Sequence, residues 1–582
     1  RDLIIYDRHT DNSQRFNRRN VNTPNATLTI GAQIVDNEAS PTALTVIGPA
    51  PFSSIMLAYG GCTVLSHLDN TYSGGTRMID AALEPAADSS LGLVPEQPAT
   101  NIVTSGLALL RAKKNAWPLE LHAHRGIEIR GGCLALMGDD GNQAGKTIVR
   151  VNGPISGTGT LVLNHWAGEG VNSVIELNGD NSAFEGAYVV HGILRAQEGV
   201  GLSRAANLAL CDQNNPATKG SGIVEMSGVM DRAPGTGPGQ VQWAEANTFF
   251  SSLIGSNDPA ESGGFAAYGG PLTVNLGGDR RLLTIGQDGF NPTVLRLQTD
   301  TATHDLTWEN PINLADRTLT IQVAQSSSSK QVFWRGSLSN SGSTVRSLHV
   351  RRNGKLILCD GADIGPRINL NMTSPLQCLI TNRQTLACEL SGTGTLAKWG
   401  HGITFTTGTN TLSGTINVYE GTWYANGEHT LAGAYMVSNH ATLGGNGLIV
   451  PQAGETIQVD GTLMPGAEPG VCGTLTLGSP EAHTTLHLNG TLQAEVALEN
   501  HDCAVVFGDV TFGEGAAVAV TAQDEEVWQA RRGEEIPLLT WSGAQSGIWI
   551  QATTLPSGWK VLQKENGLAL AYVPTGTMIT VQ

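Results

Sequence analysis

Hydrophobic and polar residues alternate with a period of two in many short runs. Examples are Ala26-Thr27-Leu28-Thr29-Ile30, Leu272-Thr273-Val274-Asn275-Leu276 and Leu319-Thr320-Ile321-Gln322-Val323. A period of two puts the apolar residues on one face of a strand. Gly, Asn, Ser and Thr clusters bound the runs, as turns require. The pattern predicts many short strands and almost no helix, the best helical window being 523–532.

One strand–turn–strand unit recurs. Its fullest form is Asn70-Thr71-Tyr72-Ser73-Gly74-Gly75-Thr76, between Thr63-Val64-Leu65 and Arg77-Met78-Ile79. Partial copies are Asn181-Ser182-Ala183-Phe184-Glu185-Gly186-Ala187 and Asn410-Thr411-Leu412-Ser413-Gly414-Thr415. Strands this short cannot bury a face alone, but stacked coils bury the inward residues as ladders. The expected fold is therefore all-β, a right-handed parallel β-helix (solenoid) with capping ends and roughly 20–25 residues per coil. Glycine is expected to supply positive φ at the bends. A string of immunoglobulin-like sandwiches would show a Cys…Trp…Cys spacing, which the chain lacks.

Five segments follow from this pattern. Residues 1–53 read as an N-terminal cap and entry strands, with Arg15, Arg18 and Arg19 as a basic patch. Residues 54–219 read as β-helix with repeat units. Residues 220–350 read as less regular β-helix with loop excursions, 234–239 being the best candidate and 326–329 another. Residues 351–480 return to repeat units, and 481–582 form a β-rich cap in which Trp541, Trp549 and Trp559 cover the last coil.

Composition agrees. Glycine is 72 of 582 residues, roughly 12% against an average of about 7%. No strict three-residue glycine period exists, so collagen is excluded. The formal charge of −17 disfavours a nucleic-acid partner, which would require a basic face. No apolar run reaches the roughly 18 residues of a membrane helix, so an integral membrane protein is not expected. The chain begins at Arg1 and reads as a mature product after signal-peptide removal. Eight scattered cysteines include no CxxC pair, and Cys378 with Cys388 is the best candidate bridge.

Candidate chemistry is sparse. Turn 141–147 ends Gly-Lys-Thr, but Asp140 stands where a phosphate loop needs glycine, so it reads as a polar turn. His122 and His124 would share a strand face, with no third metal ligand evident. The acidic groups Asp139-Asp140, Asp524-Glu525-Glu526 and Glu534-Glu535 are poor catalytic pairs, since adjacent carboxylates on a strand face opposite ways; they read as solvated charge, with calcium in a turn as the alternative. Trp399, Trp423 and Tyr424 offer a sugar-stacking patch or, as the plainer reading, core and edge packing. No catalytic, cofactor-binding or metal-ligating residue is assigned.

Taken together, 65–83, 157–194 and 392–423 resemble the autotransporter-associated β-strand repeat, also called the passenger-associated transport repeat. Its usual form is G-x-G-x-L-x-L, then N-T-Y-S-G-G-T, then an alternating strand ending G-T-L. The segments Leu443-Gly444-Gly445-Asn446-Gly447 and Leu463-Met464-Pro465-Gly466 resemble the LGGNG…LxPG stretch that follows such repeats. Clear matches cover about a quarter of the chain. The resemblance implies a secreted or cell-surface bacterial passenger, here without the membrane barrel, since none follows Val573. The expected function is a structural or adhesive module presenting a long binding surface. Its expected partners are a glycan or host cell-surface ligand, and further copies of itself as a homo-oligomer or filament. The alternative is a carbohydrate-active β-helical enzyme, a polysaccharide lyase or glycoside hydrolase. That alternative needs acids and bases converging across coils, and the sequence displays no such cluster.

Overall fold

A computed structural model describes residues 2–6, 27–38, 40–48, 62–113, 116–138, 146–163, 173–211, 222–244, 262–324, 330–351 and 354–574. The patch Arg15, Arg18 and Arg19, the pair Asp139-Asp140, most of turn 141–147 and loop 326–329 lie outside them. The chain forms two compact units, Arg1–Asn310 with Ala324–Lys330, and Pro311–Val323 with Gln331–Gln582.

In the first unit the chain visits three sheets in rotation. One sheet stacks Leu3–Tyr6, Leu44–Ile47, Thr76–Ile79, Ala99–Ser105, Arg125–Ile129 and Ile155–Gly157. The second includes Cys62–Leu65, Ala82–Pro85, Leu107–Ala112, Cys133–Gly138 and Thr160–Leu163. The third contains Leu119–Leu121, Thr147–Val151, Val174–Leu177, Ile193–Ala196, Gly222–Met230 and Ser262–Val274, each parallel to the next. This is a parallel β-helix. Gly222–Met230 and Ser262–Val274 pair with a register shift. Segment 234–239 is not a free excursion. Pro234 bridges Val241, and Asn207 Nδ2 donates to the carbonyls of Gly235 and Gly237.

The second unit repeats the three-sheet plan more regularly. Leu376, Leu396, Ile416 and Tyr435 stack in register and are buried, at intervals of 20, 20 and 19 residues. The column continues to Ile457, Leu486 and Val510 at intervals of 22, 29 and 24, so the later coils carry insertions. On another sheet Trp423, Leu443, Leu463 and Leu492 form an inward ladder with no exposure. Each such side chain contributes about 1.5–3 kcal/mol by leaving water.

The turn unit is explained by contacts between coils. Asn70 Oδ1 accepts from the Ile34 amide of the preceding coil, and its Nδ2 donates to the Ser90 carbonyl of the following one. Asn181 does the same with Ile155 and Gly201. Tyr72, Phe184 and Leu412 are the buried side chains that follow. Gly75 has φ +77°, as expected of a bend. Gly74, Gly186 and Gly414 do not have positive φ. They are glycine because a Cβ would meet the neighbouring coil's backbone, 2.6 Å from Thr42, 1.8 Å from Gly159 and 2.0 Å from Gly394 respectively. Close stacking, beyond turn geometry, therefore sets those positions.

Strand Gly567–Tyr572 runs antiparallel to both Glu535–Trp541 and Trp559–Lys564, which ends the parallel stacking. Trp541 packs edge-on against Phe512, and Trp559 lies between Trp528 and Tyr572. A single helical turn, Val527–Ala530, sits inside the predicted window. Cys378 and Cys388 are separate free thiols, contrary to the expected bridge. Both are fully buried, and their desolvation raises each thiol to about 12. They behave as small core residues.

Candidate functional site

His122 and His124 lie in a turn between Leu119–Leu121 and Arg125–Ile129, not on a strand face. His122 Nδ1 accepts the His124 amide, and His124 Nδ1 contacts the Pro95 carbonyl, so these nitrogens serve the turn. Glu534 pairs with Arg531 and Glu535 with Lys564 on the cap surface, while Asp524, Glu525 and Glu526 are exposed.

The three aromatics of the sequence patch separate. Trp423 and Tyr424 are adjacent on Gly421–Ala425 and so face opposite ways. Trp423 enters the core, and Tyr424, on the other face, is only 1% exposed. Trp399 alone reaches solvent, at 38%. It stacks on Tyr419, which is 37% exposed, with ring centroids 4.2 Å apart and planes 20° apart. Leu379, 40% exposed, is the register partner of Trp399 on the preceding coil.

These residues belong to one outward column at a corner of the second unit. Backbone bonds from Tyr419 to Lys398, Ser438 to Val418, Asp460 to Val437 and Asn489 to Val459 set its order. The column therefore runs Leu379, Trp399, Tyr419, Ser438, Asp460, Asn489. Its first half is apolar and its second half polar. Coils stack about 4.8 Å apart, so Tyr419 and Asp460 stand roughly 10 Å apart along the column with only the small Ser438 between. Trp399 covers one face of the Tyr419 ring, and the next residue along the column on its other side is the small Ser438. On the other side, Asp460 accepts from Asn489 Nδ2 at 2.6 Å and Gln458 Nε2 at 3.1 Å, which fixes its carboxylate. An aromatic face opposite a carboxylate and amides is what a sugar ring needs, with one apolar face and a rim of hydroxyls. Sequence reading found Trp399 but missed Tyr419, Ser438, Asp460 and Asn489, because their alignment depends on coil lengths of 19 to 29 residues.

The first unit carries a different outward feature. Glu120, Arg150, Glu176, Arg195 and Glu225 alternate in charge across successive coils. Arg195 lies over the Tyr268 ring at 3.5 Å, and the Thr299 and Thr301 hydroxyls bond Glu225. Burial would raise the Glu176 carboxyl, but hydrogen bonds and charge from Arg150, with Thr147 and Arg195, hold it below its ordinary range. Each carboxylate in the ladder is thus committed to an arginine. That disposition serves packing of coil on coil rather than proton delivery.

Among the described residues, no helix is long and apolar enough to cross a membrane. No family model and no curated protein matches the chain. Among solved structures it is similar to the Haemophilus influenzae Hap adhesin, at 10% identity and a TM-score of 0.30. The match covers 91% of this chain and 64% of that one, so the chain spans less than two thirds of its length. A likeness at that score supports no argument, and the β-helix stands on the chain's own strand pairing.

Proposed function

We propose that this protein is a secreted or cell-surface β-helical module of the passenger-like, autotransporter-associated repeat kind, and that it works by adhesive binding. The single observation that carries this reading is the exposed column of Leu379, Trp399 and Tyr419 continuing into the polar residues Ser438, Asp460 and Asn489. Elsewhere the large aromatics of this unit are mainly committed to core and cap. An exposed aromatic stack beside fixed hydrogen-bonding groups suits a glycan, which is the ligand class we assign. The repeat units serve as a scaffold that holds this corner in place.

The test is a glycan array read twice, for retention of the full chain and for release of cleaved product. Retention without product is expected. Trp399→Ala and Tyr419→Ala each weaken it at least tenfold with the far-ultraviolet circular dichroism unchanged. Absence of binding to glycans, to cell surfaces and to other copies of the chain would overturn the adhesive reading. Release of product would replace it with the carbohydrate-active one.

A further inference from the structure

Loop 466–473 crosses the outer face of the sheet that holds Tyr424, and its contacts reach widely separated coils. Gly466 bridges Gly445. The Ala467 carbonyl accepts from Asn426 Nδ2 at 2.8 Å, Glu468 pairs with Arg383 at 3.4 Å, and the Gly470 carbonyl accepts from Gln523 Nε2 at 2.7 Å. At the loop's end Cys472 meets Glu495, on Thr491–Val496, and Asp502, beside Cys503–Val506. One ligand atom from each of these three side chains lies within 4.8 Å of the others. Among the described residues this is the single group of that kind.

We propose that Cys472 Sγ and the carboxylates of Glu495 and Asp502 form a binding site for a divalent transition metal, with zinc the best fit, that ties loop 466–473 to the strands beneath it.

The donor set carries the choice of ion. A thiolate with two carboxylates suits zinc, whereas calcium and magnesium prefer oxygen alone. Zinc–sulfur and zinc–oxygen bonds of about 2.3 and 2.0–2.2 Å put tetrahedral donors roughly 3.3–3.8 Å apart, so the group needs to close by about 1 Å. Cys472 and Glu495 are only half-buried and can make that movement. Asp502 is already oriented. Its two oxygens accept the amides of Gly473 at 2.8 Å and Glu495 at 2.9 Å, which leaves a lone pair on each. Such support from outside the ligand set is what holds metal ligands in place.

An independent observation points the same way. The Tyr424 hydroxyl is buried and has no hydrogen-bond partner. Its ring stacks on Phe405 at 5.1 Å and lies over Gly444, whose Cβ would come within 2.6 Å of it. The ring therefore extends past Gly444, and burial, with the charges of Glu495, Asp502 and Glu468 nearby, holds its hydroxyl in the protonated form. Gly466, beside Gly445, has Asp502 Oδ1 3.0 Å from where its Cβ would stand, which puts the carboxylates next to this column. A buried phenol without a partner is costly, and a metal with a fourth position open to water or the phenol relieves that cost.

The test uses the full chain, stripped with chelator and titrated with zinc chloride alone by calorimetry, and then with cobalt chloride by absorption. One zinc per chain is expected, with a thiolate-to-cobalt charge-transfer band and a thermal midpoint raised by several degrees. Cys472→Ser abolishes the band, and Glu495→Gln weakens zinc binding at least tenfold. Glu495 is half-buried, so Glu495→Gln decides the matter where Cys472→Ser fails to fold. Absence of saturable one-to-one binding by the folded wild type would overturn the proposal. Binding unchanged in both variants would overturn it equally.

Discussion

Asn181 ties its own coil to the coils before and after it, through Ile155 N–H and the Gly201 carbonyl. Replacing it with alanine leaves the buried Ile155 N–H without a partner, while the Gly201 carbonyl keeps only the Tyr188 hydroxyl. The expected loss is roughly 1–3 kcal/mol, measured by urea unfolding. Gly186→Ala forces a Cβ into the Gly159 carbonyl and should cost roughly 1–3 kcal/mol, though its φ is ordinary. A titration gives a third test. His429 is fully buried among Thr406, Asn410 and Tyr435, and desolvation lowers its pKa from 6.5 to about 3. The unfolded chain takes up this proton near pH 6.5 and the folded chain only near 3. Between those values the unfolded state holds more protons, so stability falls as pH falls, by up to about 1.4 kcal/mol per unit. His429→Gln should flatten that part of the stability profile. The identity of these residues was plain in the sequence, but their purpose was not. Asn70 and Asn181 look like ordinary turn residues until the neighbouring coils are in place.

At the scale of elements, alternation located the strands well because one face of each is buried. It could not supply coil length. Leu376 to Tyr435 keeps a near-constant interval, but Ile457 to Leu486 does not. One miscounted residue exchanges inside for outside along a whole strand. For the same reason Trp399, Trp423 and Tyr424 looked like one patch although they have three different fates. The LxPG resemblance marked where loop 466–473 begins, but nothing local told that it folds back across the sheet to Asp502. Register is testable directly. Leu463→Ala, on the inward ladder, should cost 2–5 kcal/mol, whereas its outward neighbour Thr462→Ala should change stability by less than about 0.5 kcal/mol. Equal effects in chemical denaturation would mean that the strand is out of register.

At the scale of the molecule, two outward surfaces compete to be the functional one. The ladder from Glu120 to Glu225 satisfies its own charges within the first unit. The corner from Leu379 to Asn489 does not. It leaves aromatic surface in water, and a folded chain tolerates that most readily where a ligand covers it. The most direct measurement is hydrogen exchange across the full chain, free and bound to the tightest glycan from the array. Binding at the corner predicts added protection at 376–380, 396–400, 416–420 and 435–440, with the strands of the charged ladder unchanged. Protection confined to the ladder, with the corner exchanging as in the free chain, would contradict the account.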